Sequence, residues 1–331
     1  MVRAACSAFC LALLAATPAF PQSPGSFAAA HLAGGLPTVA SPAVRGRGGA
    51  RVAPMDLLAD DLLDPECGCP AQLVGAKQAE VGMEYGSLHG RTADTHYLSL
   101  RYVTPLPHRQ GLALHRLTMD GTGQLALAPG LSGRLSIEET SLGISWATGD
   151  ADFAFGLAVS PRMDTAIRVT VPRRGQVLAI ESEVLPRPRG RLSLQKKISD
   201  RVRAGIDSDL FDEEARLGSF VGTYRTRTYR LGASFLASAD TVVGADYEWG
   251  EFSGPLTDER LHDLYAGLEH RIAPGWVLRA GSYAGRLALG VGHKQGGVRA
   301  DIAYVQGISE ELVPLCDDNP SLWTGAVRWA W

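Results

Sequence analysis

A chain of 331 residues is long enough for one large β domain or two ordinary domains, and a net charge of −3 with a sequence pI near 6.2 does not imply a nucleic-acid partner. Hydrophobic residues make up 45% of the chain, yet the mean hydropathy is −0.01, so the apolar residues are dispersed. The 38 glycines suit tight turns and close-packed strands.

The chain opens "MVRAACSAFCLALLAATPAFPQ". A basic Arg3 before a short apolar run and small residues predicts a secretory signal peptide over residues 1–19. The run is too short to span a bilayer as a helix, and no later stretch reaches the ~18 apolar residues a membrane helix needs. Residues 20–53 are rich in Gly, Ala, Pro and Ser and read as a flexible lead-in. "MDLLADDLLD", residues 55–64, is a short helix candidate stopped by Pro65 and Pro70. Residues 20–76 together form the N-terminal segment, and 77–331 a single β domain. Cys67, Cys69 and Cys316 survive signal cleavage but make neither a disulfide framework nor a metal set. Cys316 is expected not to pair with the other two.

From Lys77 on, apolar and polar residues alternate with period two. "EVGMEYG" sets Val81, Met83 and Tyr85 against Glu80 and Glu84, and "HYLSLRYVT" sets Leu98, Leu100 and Tyr102 against Ser99 and Arg101. The same alternation runs through "VRAGID", "TYRLGASF", "TVVGADYEW", "LYAGLEHRI" and "VRADIAY". It ends in "SLWTGAVRWAW", where Trp323, Val327, Trp329 and Trp331 share one face and Arg328 lies on the other. Each segment has roughly the ten-residue length of a tilted membrane strand. The polar face carries acids and arginines at mid-strand, which suits a lumen; the apolar face carries Tyr and Trp near strand ends, as lipid-facing girdles do. About sixteen such candidates stand between 79 and 331, the weakest around 164–171 and 189–197. The fold expected is all-β: a transmembrane antiparallel up-and-down barrel of about 12–16 strands.

One set of connections is short: "PLPHRQ", "TGDA", "PRRG", "ISDR", "ASAD", "APG" and "QGG". The alternate set, about 120–133, "FDEEARLG", "FSGPLTDER" and 307–320, is mostly longer. Short periplasmic turns alternating with longer outer loops predict a multi-pass barrel in a Gram-negative outer membrane, with both chain ends in the periplasm.

Residues 49–73, "GARVAPMDLLADDLLDPECGCPAQL", and the hairpin that follows resemble the leading segment of the outer-membrane barrel superfamily of FadL-type fatty-acid transporters and PorV-type secretion proteins. The matching residues are Gly49, Ala50 and Arg51, then Ala59, Asp60 and Asp61, then Pro70 and Ala71. Cys69 replaces the family's usual asparagine, and "APMD" its glycine pair. The resemblance implies a fourteen-strand barrel with a short helical hatch to which those eight residues belong, with Ala59, Asp60, Asp61, Pro70 and Ala71 as its anchors; a periplasmic tail is the alternative. It further implies that Trp329 and Trp331, at the aromatic end of the closing strand, serve as the signal read by barrel-assembly machinery.

The lumen-facing set by alternation is Glu80, Glu84, Arg101, Glu181, Glu183, Arg203, Asp207, Arg230, Asp246, Glu248, Glu269, Arg271, Arg279, Arg299, Asp301 and Arg328. Its mixed signs imply no strong ion selectivity. No zinc-protease helix motif, nucleophile elbow or phosphate loop is present, and "DGTG" and "CDDNP" read as ordinary turns. A lipid hydrolase would need a serine–histidine pair on the outer face, and no motif announces one. The sequence marks no enzyme, cofactor or metal. The function expected is passive transport of small, hydrophobic molecules, with outer-membrane lipid as the surrounding partner. Docking of a secreted protein and a purely structural barrel stand as alternatives.

Overall fold

The computed structural model describes residues 42–47, 49–59, 69–89, 93–128, 131–173, 176–185, 189–217, 220–253, 258–306 and 321–331. The predicted signal peptide and Asp60, Asp61, Cys67 and Cys316 lie outside the described residues.

The wall is built from β1 (Glu80–His89), β2 (Ala93–Leu106), β3 (Gln110–Ala128), β4 (Leu131–Gly149), β5 (Phe153–Arg173), β6 (Gln176–Leu185), β7 (Arg189–Ser199) and β8 (Val202–Leu217). It continues through β9 (Phe220–Ser238), β10 (Thr241–Ser253), β11 (Asp258–Ala273), β12 (Trp276–Tyr283), β13 (Arg286–Gln295), β14 (Val298–Val305) and β15 (Ser321–Ala330). All pairings are antiparallel, and β15 closes on β1 from Glu80↔Ala330 to His89↔Ser321. β6 and β7 are two lengths of one wall position. β5 pairs with β7 through Phe153↔Lys196 and with β6 through Arg173↔Gln176, and β8 takes both on its other edge. The fifteen segments therefore make a closed fourteen-strand barrel. Of the two weak candidates, 164–171 merges into β5, and 189–197 becomes the lower half of a divided strand.

The strands are unequal, which corrects the uniform ten-residue expectation. β3, β4 and β9 have 19 residues and β5 has 21, whereas β12 and β14 have eight each. The predicted loop over 120–133 is the meeting of β3 and β4, "DGTG" is strand, and most of "FDEEARLG" is the end of β8. A bilayer needs only about 9–11 residues per strand. The remainder of the ladder continues past the membrane, so length that reads as loop is spent on wall. "PRRG" belongs at the outer end of β5, not with the short turns. Those turns, at 107–109, 150–152, 200–201, 239–240, 274–275 and 296–297, share one end of the barrel with both ends of the wall, where the Trp331 amide donates to Ala79 O at 3.1 Å.

Alternation sorts the side chains by solvent. Val81, Met83, Tyr85, Leu98, Leu100, Leu231, Ile302, Trp323, Val327 and Trp329 are exposed on the outer surface, while Thr324, Ala326 and Arg328 on the same closing strand are buried inside. A closed barrel has no edge, and such a continuous apolar exterior has lipid as its matching solvent. Aromatic pairs mark both rims of this belt. Tyr229, Tyr247 and Trp249 stack toward the outer end, and Trp276 with His293 and Trp329 with Trp331 pair toward the short-turn end. The chain spans a membrane by strands; among the described residues no helix is long and apolar enough to do so.

The described parts of the N-terminal segment, 42–47, 49–59 and 69–76, lie inside. α1 (Pro42–Gly46) packs on β12 to β15, and a 3-10 turn (Pro70–Gly75) packs across the bore on β2 to β5 and β7. Two sequence expectations are corrected here. Residues 42–47 and 49–53 are a buried part of the molecule and not a loose lead-in, and 55–59 are irregular, with the helix at Pro42–Gly46 instead. The cause is visible in the hydrogen bonds: the Leu57 amide donates to Glu269 and the Leu57 carbonyl accepts from Arg271. Wall side chains thus take the backbone groups that a helix would have paired internally.

Candidate functional site

Three polar groups hold the hatch against the inner wall. In the first, Asp56 accepts from Arg299 at 2.8 Å and lies 3.9 Å from Arg279. Arg279 donates to Glu269 at 2.5 Å and to Asp301 at 2.7 Å, and Arg299 donates to Asp301 at 2.6 Å. Arg328 of the closing strand stands 3.5 Å from Asp301, and Arg47 donates to the Met55 carbonyl. Burial alone would raise the Asp56 carboxyl; Arg299, Arg279 and Arg47 overrule it and hold the group well below the usual carboxylate range.

In the second group, Asp246 accepts from the Arg51 amide at 2.6 Å and the Val52 amide at 2.9 Å. The Arg51 side chain is 3.7 Å from Asp207, which also forms a bidentate pair with Arg191. Arg230 pairs with Glu248, reaches the Gly49 carbonyl at 3.5 Å and lies 4.0 Å over the Tyr265 ring. Gly49 sits at φ +84°, and an added Cβ would come within 2.7 Å of Tyr265 and 2.8 Å of Tyr283.

The third group is built from amides. Gln195 donates to the Val52 carbonyl and accepts from Gln72, each at 2.5 Å, and the Ala71 amide donates to Ser193 at 2.8 Å. Cys69 is a free thiol buried here with Val44, Ala71 and Ala154. Burial first, and then the Asp207 charge, push its pKa up to about 11.

Several predicted residues therefore converge. Gly49, Ala50, Arg51, Pro70 and Ala71 of the hatch are buried, and so are Arg203, Asp207, Arg230, Asp246, Glu248, Glu269, Arg299, Asp301 and Arg328 of the wall. Arg203 donates to the Ala151 carbonyl at the short-turn rim, and Arg271 is at the same mouth beside Asp240. Glu80 and Arg101 are half-buried low on β1 and β2. Ala59 ends its described stretch, and the side chains of Glu181 and Glu183 lie outside the described residues. Trp329 and Trp331 are exposed on the outside.

The sequence reading missed the carboxylate that matters here. Asp56 lies inside the helix candidate with nothing in its spacing to single it out, while the Asp60–Asp61 pair is the one the resemblance marks. Arg45 and Arg47 lie in the stretch that reads as a flexible lead-in; both are buried. Gln72 and Gln195 carry no sequence signal at all.

Toward the outer end the inner wall changes character. Leu117 and Met119 of β3, Tyr97 of β2, Leu88 of β1, Leu322 of β15, Val305 of β14 and Ala288 of β13 form one apolar cluster, with Tyr283 of β12 packed against it. Leu88 faces Leu322, Leu322 faces Val305, and Val305 faces Ala288 in the ladder, so the cluster is a collar running along the wall. Tyr97 ties collar to hatch: its hydroxyl donates to Glu84 at 2.6 Å and accepts from Arg45 of α1.

No protein-family model matches the chain, and no curated protein matches it. Solved structures do match in fold. The toluene transporter TodX of Pseudomonas putida is 13% identical, with 88% of this chain and 97% of that chain covered and a TM-score of 0.57. A FadL homologue of Pseudomonas aeruginosa is 12% identical over 89% of this chain and 98% of that one, with a TM-score of 0.59. The Ralstonia pickettii toluene transporter TbuX is 13% identical over 88% and 98%, with a TM-score of 0.57. The chain thus has the fold of FadL-type barrels.

Proposed function

We propose that the protein is an outer-membrane channel that passes small hydrophobic molecules passively past an N-terminal hatch. The observation that carries this reading is the layering of the inner wall. An apolar collar lies at the outer end, where a solute would arrive, and a hatch held by an ion pair and hydrogen bonds packs on the inner wall below it. A collar of Leu, Val, Met and Tyr offers an apolar solute surface that water solvates poorly and gives a sugar or an ion nothing in exchange for its hydration. The shared fold supports the reading, since proteins bearing it are described as transporters of toluene and channels for monoaromatic hydrocarbons. In this reading residues 1–19 direct export, Trp329 and Trp331 address the assembly machinery, and outer-membrane lipid surrounds the belt.

The test is uptake of radiolabelled toluene by Gram-negative cells lacking their own hydrocarbon channels. Expression of the chain should raise uptake, and Leu322→Glu or Met119→Glu should abolish the gain while leaving a heat-modifiable barrel in the outer membrane. Uptake unaffected by either charge in the collar would overturn the reading.

A further inference from the structure

The outer end of the first hairpin carries a second arrangement, on the lipid side of the wall. On β1 the outward residues are Val81, Met83 and Tyr85, and the same alternation carries Ser87 and His89 outward above them. On β2 the outward series of Leu100 and Leu98 continues to His96 and Asp94. The ladder pairs Ser87 with His96 and His89 with Asp94, so four polar side chains meet on one face. Ser87 Oγ lies 2.7 Å from His89 Nε2, and His89 Nδ1 lies 3.2 Å from Asp94 Oδ1. On the other side of Ser87, His96 Nδ1 lies 2.9 Å from Ser87 Oγ and 2.8 Å from the Tyr85 hydroxyl.

We infer that Ser87, His89 and Asp94 form a nucleophilic site that cleaves fatty-acyl esters of outer-leaflet lipids. The connectivity decides the protons. A carboxylate on Nδ1 fixes the histidine tautomer with its proton there, leaving the Nε2 lone pair aimed at the serine hydroxyl. Ser87 is 6% exposed, nested between two imidazoles, and so has its proton acceptor already in place. The position supplies the substrate. Ser87 stands one outward step beyond Tyr85, at the upper edge of the apolar belt, where glycerolipid ester carbonyls meet water. Its other ladder partner, Trp323, is exposed and packs with Tyr304 at 4.7 Å, a shelf for an acyl chain.

The step balances as ester plus water. Ser87 Oγ bonds to the carbonyl carbon as its proton passes to His89 Nε2. Collapse of the tetrahedral intermediate breaks the ester C–O bond, and His89 returns the proton to the departing alkoxide. Water then adds to the acyl-serine, again losing its proton to His89. The fatty acid leaves and Ser87 Oγ takes the proton back. Tyr85 and His96, beside Ser87, are the side chains placed to donate to the oxyanion. Asp94 acts through His89 and is a positioning residue. Nothing in sequence spacing announces this set, because Ser-x-His is a two-residue step on one strand and the acid comes from across the hairpin.

The experiment incubates the purified full-length barrel in mixed micelles with acyl-labelled phosphatidylethanolamine and, separately, with lipid A. A fluorophosphonate probe then reports the nucleophile by peptide mass spectrometry. Fatty-acid release and a single adduct on Ser87 are expected, both lost in Ser87→Ala and reduced about a hundredfold or more in His89→Ala. Asp94→Asn should lower kcat with KM unchanged, because His89 loses the partner that orients it; a merely structural residue would lower the yield of folded barrel and leave the kcat of the folded fraction in place. Which lipid is cleaved identifies the source of the ester. Absence of both adduct and release from a heat-modifiable barrel, or release that persists in Ser87→Ala, would overturn the proposal.

Discussion

Asp56 is a hatch side chain enclosed by opposite charge, with Arg299 bonded to it and Arg279 and Arg47 nearby. Removing one partner of a buried ionic set leaves the others desolvated, at a cost of about 3–5 kcal/mol. Asp56→Ala should therefore unseat the hatch. Cys69 provides the readout. With its pKa near 11, roughly one thiol in a thousand is ionised at about pH 8, and the buried sulfur is shielded as well. In a Cys67→Ser, Cys316→Ser background the intact barrel should resist iodoacetamide, and adding Asp56→Ala should make Cys69 react. Equal labelling of both proteins would refute the latch. The pH dependence has a definite sign. The depressed Asp56 carboxyl contributes fully above the unfolded carboxylate range, and the contribution is lost only as pH falls through its lower folded value. The Asp56 contribution, read as the difference in hatch proteolysis between the native chain and Asp56→Ala, should thus be the same at neutral pH and at about pH 5. At this scale the sequence was partly legible. Alternation placed Asp207, Asp246 and Arg299 on the polar face, but Asp56 lies in irregular backbone, where no period reveals which way a side chain points.

Two inward glycines show how elements fit. A Cβ on Gly156 of β5 would come within 2.2 Å of the Ala71 amide in the 3-10 turn, and one on Gly267 of β11 within 2.2 Å of the Arg47 carbonyl. Both are notches in the wall into which hatch backbone settles. Gly156→Val should expel the 3-10 turn, and iodoacetamide labelling of Cys69 should rise as it does for Asp56→Ala, with barrel assembly intact. A second element-scale prediction concerns β15. Trp329→Asp puts a charge on the lipid face, which costs about 2–4 kcal/mol at mid-depth and less at the interface, whereas Ala330→Asp points toward the polar bore. Outer-membrane yield should fall for the first and hold for the second; equal yields would contradict the inside–outside assignment. Strand positions were legible because alternation is a local property. Strand lengths were not, since β3 and β4 support each other through polar Asp120, Thr122 and Ser136 in pairs that look like loop when each is read alone.

For the whole molecule, closure explains why the wall can outlast its plug. Arg279 with Glu269 and Asp301, Arg191 with Asp207, and Arg230 with Glu248 are paired within the wall itself, so water entering an emptied bore meets groups already neutralised. Barrel topology was readable from alternation and turn spacing together. The collar was not, because Leu88, Val305 and Leu322 interrupt an otherwise polar face and gain their meaning only when β1, β14 and β15 lie side by side. The most direct measurement is single-channel conductance in planar bilayers, comparing the intact chain with one lacking residues 20–76 but keeping the signal, both first shown to be heat-modifiable. A hatch that fills the bore predicts a nearly closed intact barrel and a large, steady conductance in the truncated one. Identical traces would mean that the segment does not close the channel, and the plugged-transporter account would fall.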